Sequence, residues 1–317
     1  MDSSKILAIR QEVRKVIVGQ EKVVDSLIRG ILANGHILVE GVPGLAKTVI
    51  IRTLAIILGC DFKRIQFTID LLPSDIIGIN SFDPQKSTYK IVKGPIFTNI
   101  LLADEINRAS PKVQSALLEG MAERQVTIGN QTLPLADPFF VFATENPLES
   151  LGTYPLPQAQ LDRFIFKILI HYPNAEEELE VIDRNFSTTR DAEATRQLLD
   201  AEQIRQLHKQ VSQIHISEEL KKYIVQIIEA TRTPKKYAVK LGDYIEVGCG
   251  PRATIAIVQA AKAEAFMNGR EYVTPHDIKE VAYDVLRHRI NVNYLGQAKE
   301  IHSDKVIQEI LLKVPLP

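Results

Sequence analysis

"HILVEGVPGLAKTVIIRTLAIILGC" (residues 36–60) reads as three pieces in a row. An apolar run closes on Glu40, a turn with glycine and proline follows, and from Lys47 apolar residues recur at helical spacing. A strand that ends in a turn and opens a helix gathers backbone N–H groups at the helix start, where an anion is stabilised. The turn "GVPGLAKT" (41–48) departs from the phosphate-loop pattern G-x-x-x-x-G-K-[ST] at one place, with Ala46 where the second glycine stands. Alanine has fewer backbone choices than glycine. The expectation is therefore a right-handed helical or bridging conformation at Ala46, with Gly41 and Gly44 making the tight turns. Lys47 would reach the outer phosphates and Thr48 a magnesium ion.

Four more apolar, β-prone runs lie around this unit: "RIQFTI" (64–69), "ILLADE" (100–105), "FFVFATEN" (139–146) and "RFIFKILI" (163–170). With "HILVE" they read as five strands buried on both faces. Helical patterns alternate with them. In "SPKVQSALLEGMAE" (110–123), Ser110 suits the N-cap and Pro111 the first helical position, and Val113, Ala116, Leu117 and Met121 share a face. The alternation predicts an α/β fold with a five-stranded parallel sheet. Two stretches interrupt it. "QVTIGNQTLPL" (125–135) is a hairpin turning at Gly129-Asn130, and "SFDPQKSTYKIVKGP" (81–95) is a polar, turn-rich segment ending in a short strand. From about Asn174 the chain turns to charged helices, near 202–212, 217–232, 252–268 and 275–290, with start signals at Pro251 and Thr274-Pro275. We therefore divide it into an α/β part over 1–190 and a helical part over 191–317.

Composition narrows the function classes. Lys and Arg (38) balance Asp and Glu (39), so any polyanion site has to be local. Cys60 and Cys249 form no C-x-x-C pair, and the seven histidines show neither H-E-x-x-H nor close ligand spacing, which disfavours a disulfide framework or a zinc site. No apolar run approaches a membrane span, and the start is charged and amphipathic, so the expectation is a cytoplasmic protein without membrane insertion.

Acids at the carboxyl end of a buried parallel strand face the crevice where ligands of α/β proteins sit. "ILLADE" ends there in Asp104 and Glu105, and "FFVFATEN" ends in Asn146. Asp104 could hold magnesium, Glu105 could polarise an attacking water, and the Asn146 amide could orient it.

Taken together, "GVPGLAKT", "ILLADEINRASPKVQSALLEGMAERQVTI", "FATENPLESLGTYPLPQAQLDRF" and "GPRA" resemble the MoxR family of AAA+ ATPases over most of residues 15–290. The resemblance implies ATP and Mg2+ as cofactors and a P-loop AAA+ core with a C-terminal helical lid. Lys47 and Thr48 correspond to the Walker A pair, Asp104 and Glu105 to Walker B, and Asn146 to sensor 1. The nucleotide would lie against Gly41, Val42, Pro43, Gly44, Leu45, Ala46, Lys47, Thr48 and Val49, with Val18 and Gly19 of "VIVGQ" at the adenine. Arg163 of "QLDRF" corresponds to an arginine finger reaching a neighbouring subunit, and Arg252 of "GPRA" to sensor 2, acting on its own nucleotide or a neighbour's. Arg108 of "DEINR" would sense nucleotide or bridge subunits. The segment near 75–95 resembles the insertion in the second core helix, and 125–135 the pre-sensor hairpin. Gln158 departs from the family's more frequent glutamate, which leaves the hydrogen bonds of its loop open.

The resemblance also implies a ring, hexameric in such proteins, and chaperone-like remodelling or maturation of partner proteins, extending to insertion of metal cofactors. Partners in the family often carry a von Willebrand factor A domain. Two other classes fit less well. A DNA motor would carry basic residues in its hairpins. Residues 125–135 have none, and 81–93 has Lys86, Lys90 and Lys93 against Asp83. A non-hydrolysing scaffold would not need Glu105, Asn146 and Arg163 together. A guanine signature N-K-x-D is absent from the sequence.

Overall fold

Residues 4–84, 87–148, 152–186 and 195–317 are described in a computed structural model. Lys86, the polar stretch from 187 to 194 and the division at 190/191 lie outside the described residues.

Helices α1 (Ser4–Arg14) and α2 (Glu21–Leu32) precede strand β1 (Ile37–Glu40), the phosphate-loop turn and α3 (Lys47–Ile57). Next come β2 (Phe62–Gln66), the short α4 (Pro73–Ile77) and a hairpin of β3 (Gly78–Asp83) and β4 (Thr88–Lys93). They are followed by β5 (Ile100–Asp104), α5 (Pro111–Glu123) and a hairpin of β6 (Gln125–Ile128) and β7 (Gln131–Pro134). The α/β part closes with β8 (Phe140–Glu145), α6 (Gln158–Leu161), β9 (Phe166–Leu169) and α7 (Ala175–Phe186). The sheet runs β2-β5-β8-β1-β9, and every pairing in it is parallel.

Side chains alternate across a strand, and here both faces are apolar. Leu38, Leu101, Ala103 and Val141 pack toward α5 with Val113, Leu117 and Met121. Their neighbours Ile37, Ile100, Leu102, Phe140 and Phe142 pack on the opposite side with residues of α2 and α3. Strand β2 departs from the expectation. It starts at Phe62 rather than Arg64, and Lys63, Arg64 and Gln66 are exposed, because it is the edge strand and its outer residues face solvent. On α5, Leu118 and Gln114 are buried where Ala116 is only partly so, and Ser110 caps by position without a side-chain hydrogen bond. In the 81–95 segment, described residues on both sides pair as antiparallel strands, and the pairing starts at Gly78. Its base is tight: a Cβ on Gly78 (φ 105°) would meet the Val92 carbonyl oxygen at 2.2 Å.

The helical part comprises α8 (Ala201–Ser212), α9 (Glu218–Arg232), α10 (Pro251–Met267), α11 (Pro275–Leu286), α12 (Tyr294–Ala298) and α13 (Ser303–Lys313). Asp200 and Gln203 form a capping box at α8, and the alanines of α10, among them Ala253, Ala256 and Ala260, are buried against their neighbours.

Buried charges join the two parts. Arg29 of α2 donates to Glu264 of α10 at 2.7 Å, with side-chain exposures of only 6% and 12%. Ser26 donates to Asp284 at 2.7 Å, and Arg287 bridges Asp284 and Asp304. Removing one member of a buried pair strands the other, at a cost of about 3–5 kcal/mol, whereas replacing both with apolar groups is far milder. Arg29→Met is therefore expected to lower the unfolding free energy in urea by about 3 kcal/mol or more, with most of the loss recovered by Glu264→Leu in the same chain.

Candidate active site

The loop after β1 stands at the carboxyl end of the sheet. Gly44 has φ 86° and Ala46 has φ 53°, ψ 20°, so Ala46 is left-handed, contrary to the right-handed or bridging expectation. The loop must turn back sharply to start α3 at Lys47, and an alanine left-handed at that point costs about 1–2 kcal/mol that the surrounding contacts offset. Gly41 serves for closeness rather than for a turn, since a Cβ there would sit 3.2 Å from Ile170. The Lys47 ammonium donates to the carbonyls of Gly41 and, at 3.3 Å, Val42. Val18 and Gly19 lie at the same end of the sheet. Gln20 donates to the His171 carbonyl at 2.8 Å, and the adjacent Ile170 is the residue packed on Gly41.

Asp104 and Glu105 end β5 beside this loop. Thr144 of β8 ties them together: its hydroxyl donates to Asp104 Oδ1 at 2.5 Å and accepts the Glu105 N–H at 2.8 Å. Arg64 holds Asp104 Oδ2 through Nε (3.0 Å) and Nη2 (2.7 Å). The Glu105 carboxylate accepts from Gln66 at 2.6 Å and pairs with Arg108 at 3.1 Å, on a residue whose φ of 56° is itself strained. Asn146, 4% exposed, accepts the Leu148 N–H at 3.1 Å. Lys47, Asp104, Glu105 and Asn146 thus gather at one end of the sheet. Arg64, Gln66 and Thr144 join them without having been singled out in the sequence. Their signal was alternation: Arg64 and Gln66 share one face of β2, and Thr144 shares a face with Asn146 two residues on.

Arg163 and Arg252 stand elsewhere. They line a cavity of about 330 Å³ with His36, Arg124, Asp162 and Arg289. It lies at the amino ends of β1 and β9, where the Ile165 N–H donates to the His36 carbonyl at 2.8 Å. Arg163 donates to the Leu118 carbonyl at 2.8 Å instead of pairing with Asp162. The partners of Asp162 are Arg289 at 2.7 Å and, more loosely, Arg252 at 3.6 Å. Gln158 donates its amide to the His288 carbonyl at 2.7 Å, a bond an ionised glutamate could not make.

An oxygen donor set of one hydroxyl and one carboxylate suits a hard cation shared with phosphates, and Thr48 and Asp104 are the residues that would hold one. The Arg64 guanidinium on Asp104 marks that carboxylate as one that draws positive charge. Among the described residues no group of three or more His, Cys, Asp or Glu is arranged for a metal, and no helix is long and apolar enough to cross a membrane.

A phosphate-type loop after β1 of a β2-β5-β8-β1-β9 parallel sheet, with paired acids at the end of β5 on the far side of β8 and a helical lid, defines an AAA+ nucleotide-binding unit. Residues 36–166 match the model of the ATPase family associated with various cellular activities, and residues 241–310 match that of the AAA lid domain. The chain is 45% identical over 307 residues to Chaperone MoxR1 of Mycobacterium tuberculosis, covering 96% of this chain and 81% of that protein. It is 41% identical to the uncharacterized protein YeaC of Bacillus subtilis, covering 97% and 93%. A crystal structure from Cytophaga hutchinsonii superposes with a TM-score of 0.93 at 47% identity, covering 99% of this chain and 96% of the other. The chain belongs to the MoxR family of AAA+ ATPases.

Two outcomes follow from the local geometry. Glycine fits a left-handed position at Ala46 without cost, and a β-branched side chain does not. In a titration with a fluorescent ATP analogue, Ala46→Gly should bind within about threefold of the unaltered chain, and Ala46→Val at least about tenfold more weakly. The second concerns pH. His36 is neutral and buried: it accepts the Val141 N–H on Nδ1 at 3.0 Å and faces the Met121 carbonyl with Nε2. Burial, helped by the Arg124 charge, pushes its pKa down to about 4, and burial also holds His288 well below the ordinary value. The unfolded chain therefore takes up these protons first. Stability should be full above pH 6.5 and fall as pH drops toward 4, and in urea midpoints at pH 7 and pH 5 the fall should be smaller in His36→Gln.

Proposed function

We propose that this chain hydrolyses ATP at sites completed by neighbouring copies in a ring, hexameric as the family resemblance suggests. The observation that carries the reading is the separation of the two sets of polar residues. Lys47, Asp104 and Glu105 stand at the carboxyl end of the sheet, and Arg163 and Arg252 line a cavity at its amino end. The strand between them, Ile37 to Glu40, puts about 10 Å of packed sheet in the way, before loop lengths are added. In this reading neither arginine serves the nucleotide on its own loop.

In this reading the backbone N–H groups of residues 41–48 and the Lys47 ammonium hold the β- and γ-phosphates. Lys47 exchanges its carbonyl acceptors for phosphate oxygens, which are stronger charge-assisted acceptors. Val18 and Gly19 lie beside the base. Thr48 and Asp104 would hold Mg2+, which supplies charge neutralisation on the phosphates when bound. Glu105, released from Gln66 and Arg108, orients and polarises the attacking water, with Asn146 beside it. Arg163 from the next copy offsets the charge that develops on the transferring group, a contribution worth about 10³–10⁵ in rate in related enzymes, and Arg252 acts from that same copy.

The biological role we propose is chaperone-like remodelling and maturation of partner proteins in the cytoplasm, including metal-cofactor insertion, with clients or co-factors that carry a von Willebrand factor A domain. The similarity to a relative named as a chaperone supports the chaperone-like part of this role. A DNA motor is disfavoured because β6 and β7 bear no Lys or Arg.

Glu105→Gln is expected to bind ATP with unchanged affinity and to hydrolyse it at least about 100-fold more slowly. Mixing Glu105→Gln chains with Arg163→Ala chains should restore turnover above that of either alone, measured as phosphate release. No restoration in rings verified as mixed would contradict the shared site.

A further inference from the structure

We infer that Arg289, three residues beyond the end of the lid helix α11, is the residue that positions Arg163 and Arg252 in the amino-end cavity. This rests on the reading that Arg163 and Arg252 serve a neighbour's nucleotide, and it adds a residue and a direction of action to that reading.

Arg289 is 4% exposed, so its charge has been taken almost wholly out of water. Such burial is tolerated only when the guanidinium finds acceptors for its donors. It finds five. Nε donates to Asp162 Oδ1 at 2.7 Å, and Nη2 to the carbonyls of Phe164 (2.7 Å) and Asp162 (3.3 Å). Nη1 donates to the carbonyls of Ile165 (3.0 Å) and Val285. Three of these acceptors are backbone carbonyls at 162, 164 and 165, on both sides of Arg163. A planar fork from the lid, 127 residues away in sequence from Asp162, thereby fixes the backbone that carries Arg163.

Asp162 extends the effect to Arg252. One carboxylate oxygen is held by Arg289 at 2.7 Å, and the other faces Arg252 at 3.6 Å. Arg252 is 62% exposed, so its side chain is held loosely and from one direction. With Arg289 compensating the Asp162 charge, Arg252 is left able to exchange this contact for a phosphate. The neighbouring bonds strengthen the grip: His288 Nε2 meets the Phe164 carbonyl at 3.0 Å, and Arg287 Nη1 donates to the Lys167 carbonyl at 2.6 Å. Arg29, the other deeply buried lid-to-core arginine, contacts none of residues 162–165 in its ion pairs with Glu264 and Asp284, so burial at the lid boundary alone does not produce this arrangement.

The consequence is directional. Loss of Arg289 should disable a chain as a donor of arginines to its neighbour and spare it as a holder of nucleotide. A lysine cannot reproduce the fork, so Arg289→Lys should be nearly as defective as Arg289→Met.

The test uses full-length chains, ATP analogue binding and phosphate release in mixed rings. Arg289→Met alone is expected to bind the analogue within about threefold of the unaltered chain and to lose at least about tenfold in kcat. Mixed with Glu105→Gln chains it should regain turnover, because each supplies the side of the site that the other lacks. Mixed with Arg163→Ala chains it should regain none, because both lesions lie on the donor side. A merely structural clamp would fail in both mixtures, or would lose nucleotide binding as well. Should Arg289→Met not fold, Asp162→Asn removes the partner charge with little change of shape and is read in the same mixtures. The Arg163→Ala and Glu105→Gln mixture is the control. If it recovers and the Arg289→Met or Asp162→Asn mixture with Glu105→Gln does not, positioning by Arg289 is overturned alone. If the control fails, the shared site falls and this inference falls with it.

Discussion

All five strands of the central sheet run the same way, so the loops leaving their carboxyl ends collect on one side and those entering their amino ends on the other. That polarity governs the functional geometry. It gathers the loop at 41–48 with Asp104, Glu105 and Asn146, and it sends the segment before β9, with Arg163, to the far side. A parallel sheet cannot fold back to bring its two ends together. In the reading proposed here, a chain with half of its phosphate chemistry on each end is complete only in the company of another copy.

The lid shares one apolar cluster with α2 and α3, and buried charges at its boundary add direction to that contact. Arg29 with Glu264, Arg287 with Asp284 and Asp304, and Arg289 with Asp162 are ion pairs that join the helical part to α2 or to the segment around β9, or that brace the lid helices beside them. Each buried charge is costly to strand, so the lid is held to the amino end of its own core in one orientation. The same bonds that fix the lid shape the cavity in which Arg163 and Arg252 stand. Movement of the lid relative to the core would therefore be felt at those arginines.

Local chemistry was legible in the sequence, and long-range register was not. The strand-turn-helix at 36–60, the Gly129-Asn130 hairpin and the Pro-started helices at 111, 251 and 275 follow from residues within a few positions of one another. Helix α13 was not read from the sequence, although Val306, Ile307, Ile310 and Leu311 fall on one face. The run 64–69 was misread as a strand buried on both faces because Ile65, Phe67 and Ile69 make it look apolar, whereas the strand ends at Gln66, Arg64 and Gln66 face outward and Ile69 is exposed. Ala46 was misread for a different reason. Intrinsic preference disfavours a left-handed alanine, and the loop's closure imposes it. Arg289 gave the least warning. The run "RHR" (287–289) looks like an ordinary basic helix end, and only the fold shows that its acceptors lie at residues 162–167.

The central claim, that a working site needs residues from two copies of the chain, is tested most directly by measuring ATP turnover per chain across a wide range of chain concentration at saturating Mg2+ and ATP. Turnover per chain is predicted to fall toward zero on dilution and to rise to a plateau as copies associate. A turnover per chain that stays constant down to concentrations at which light scattering shows only monomers would contradict it.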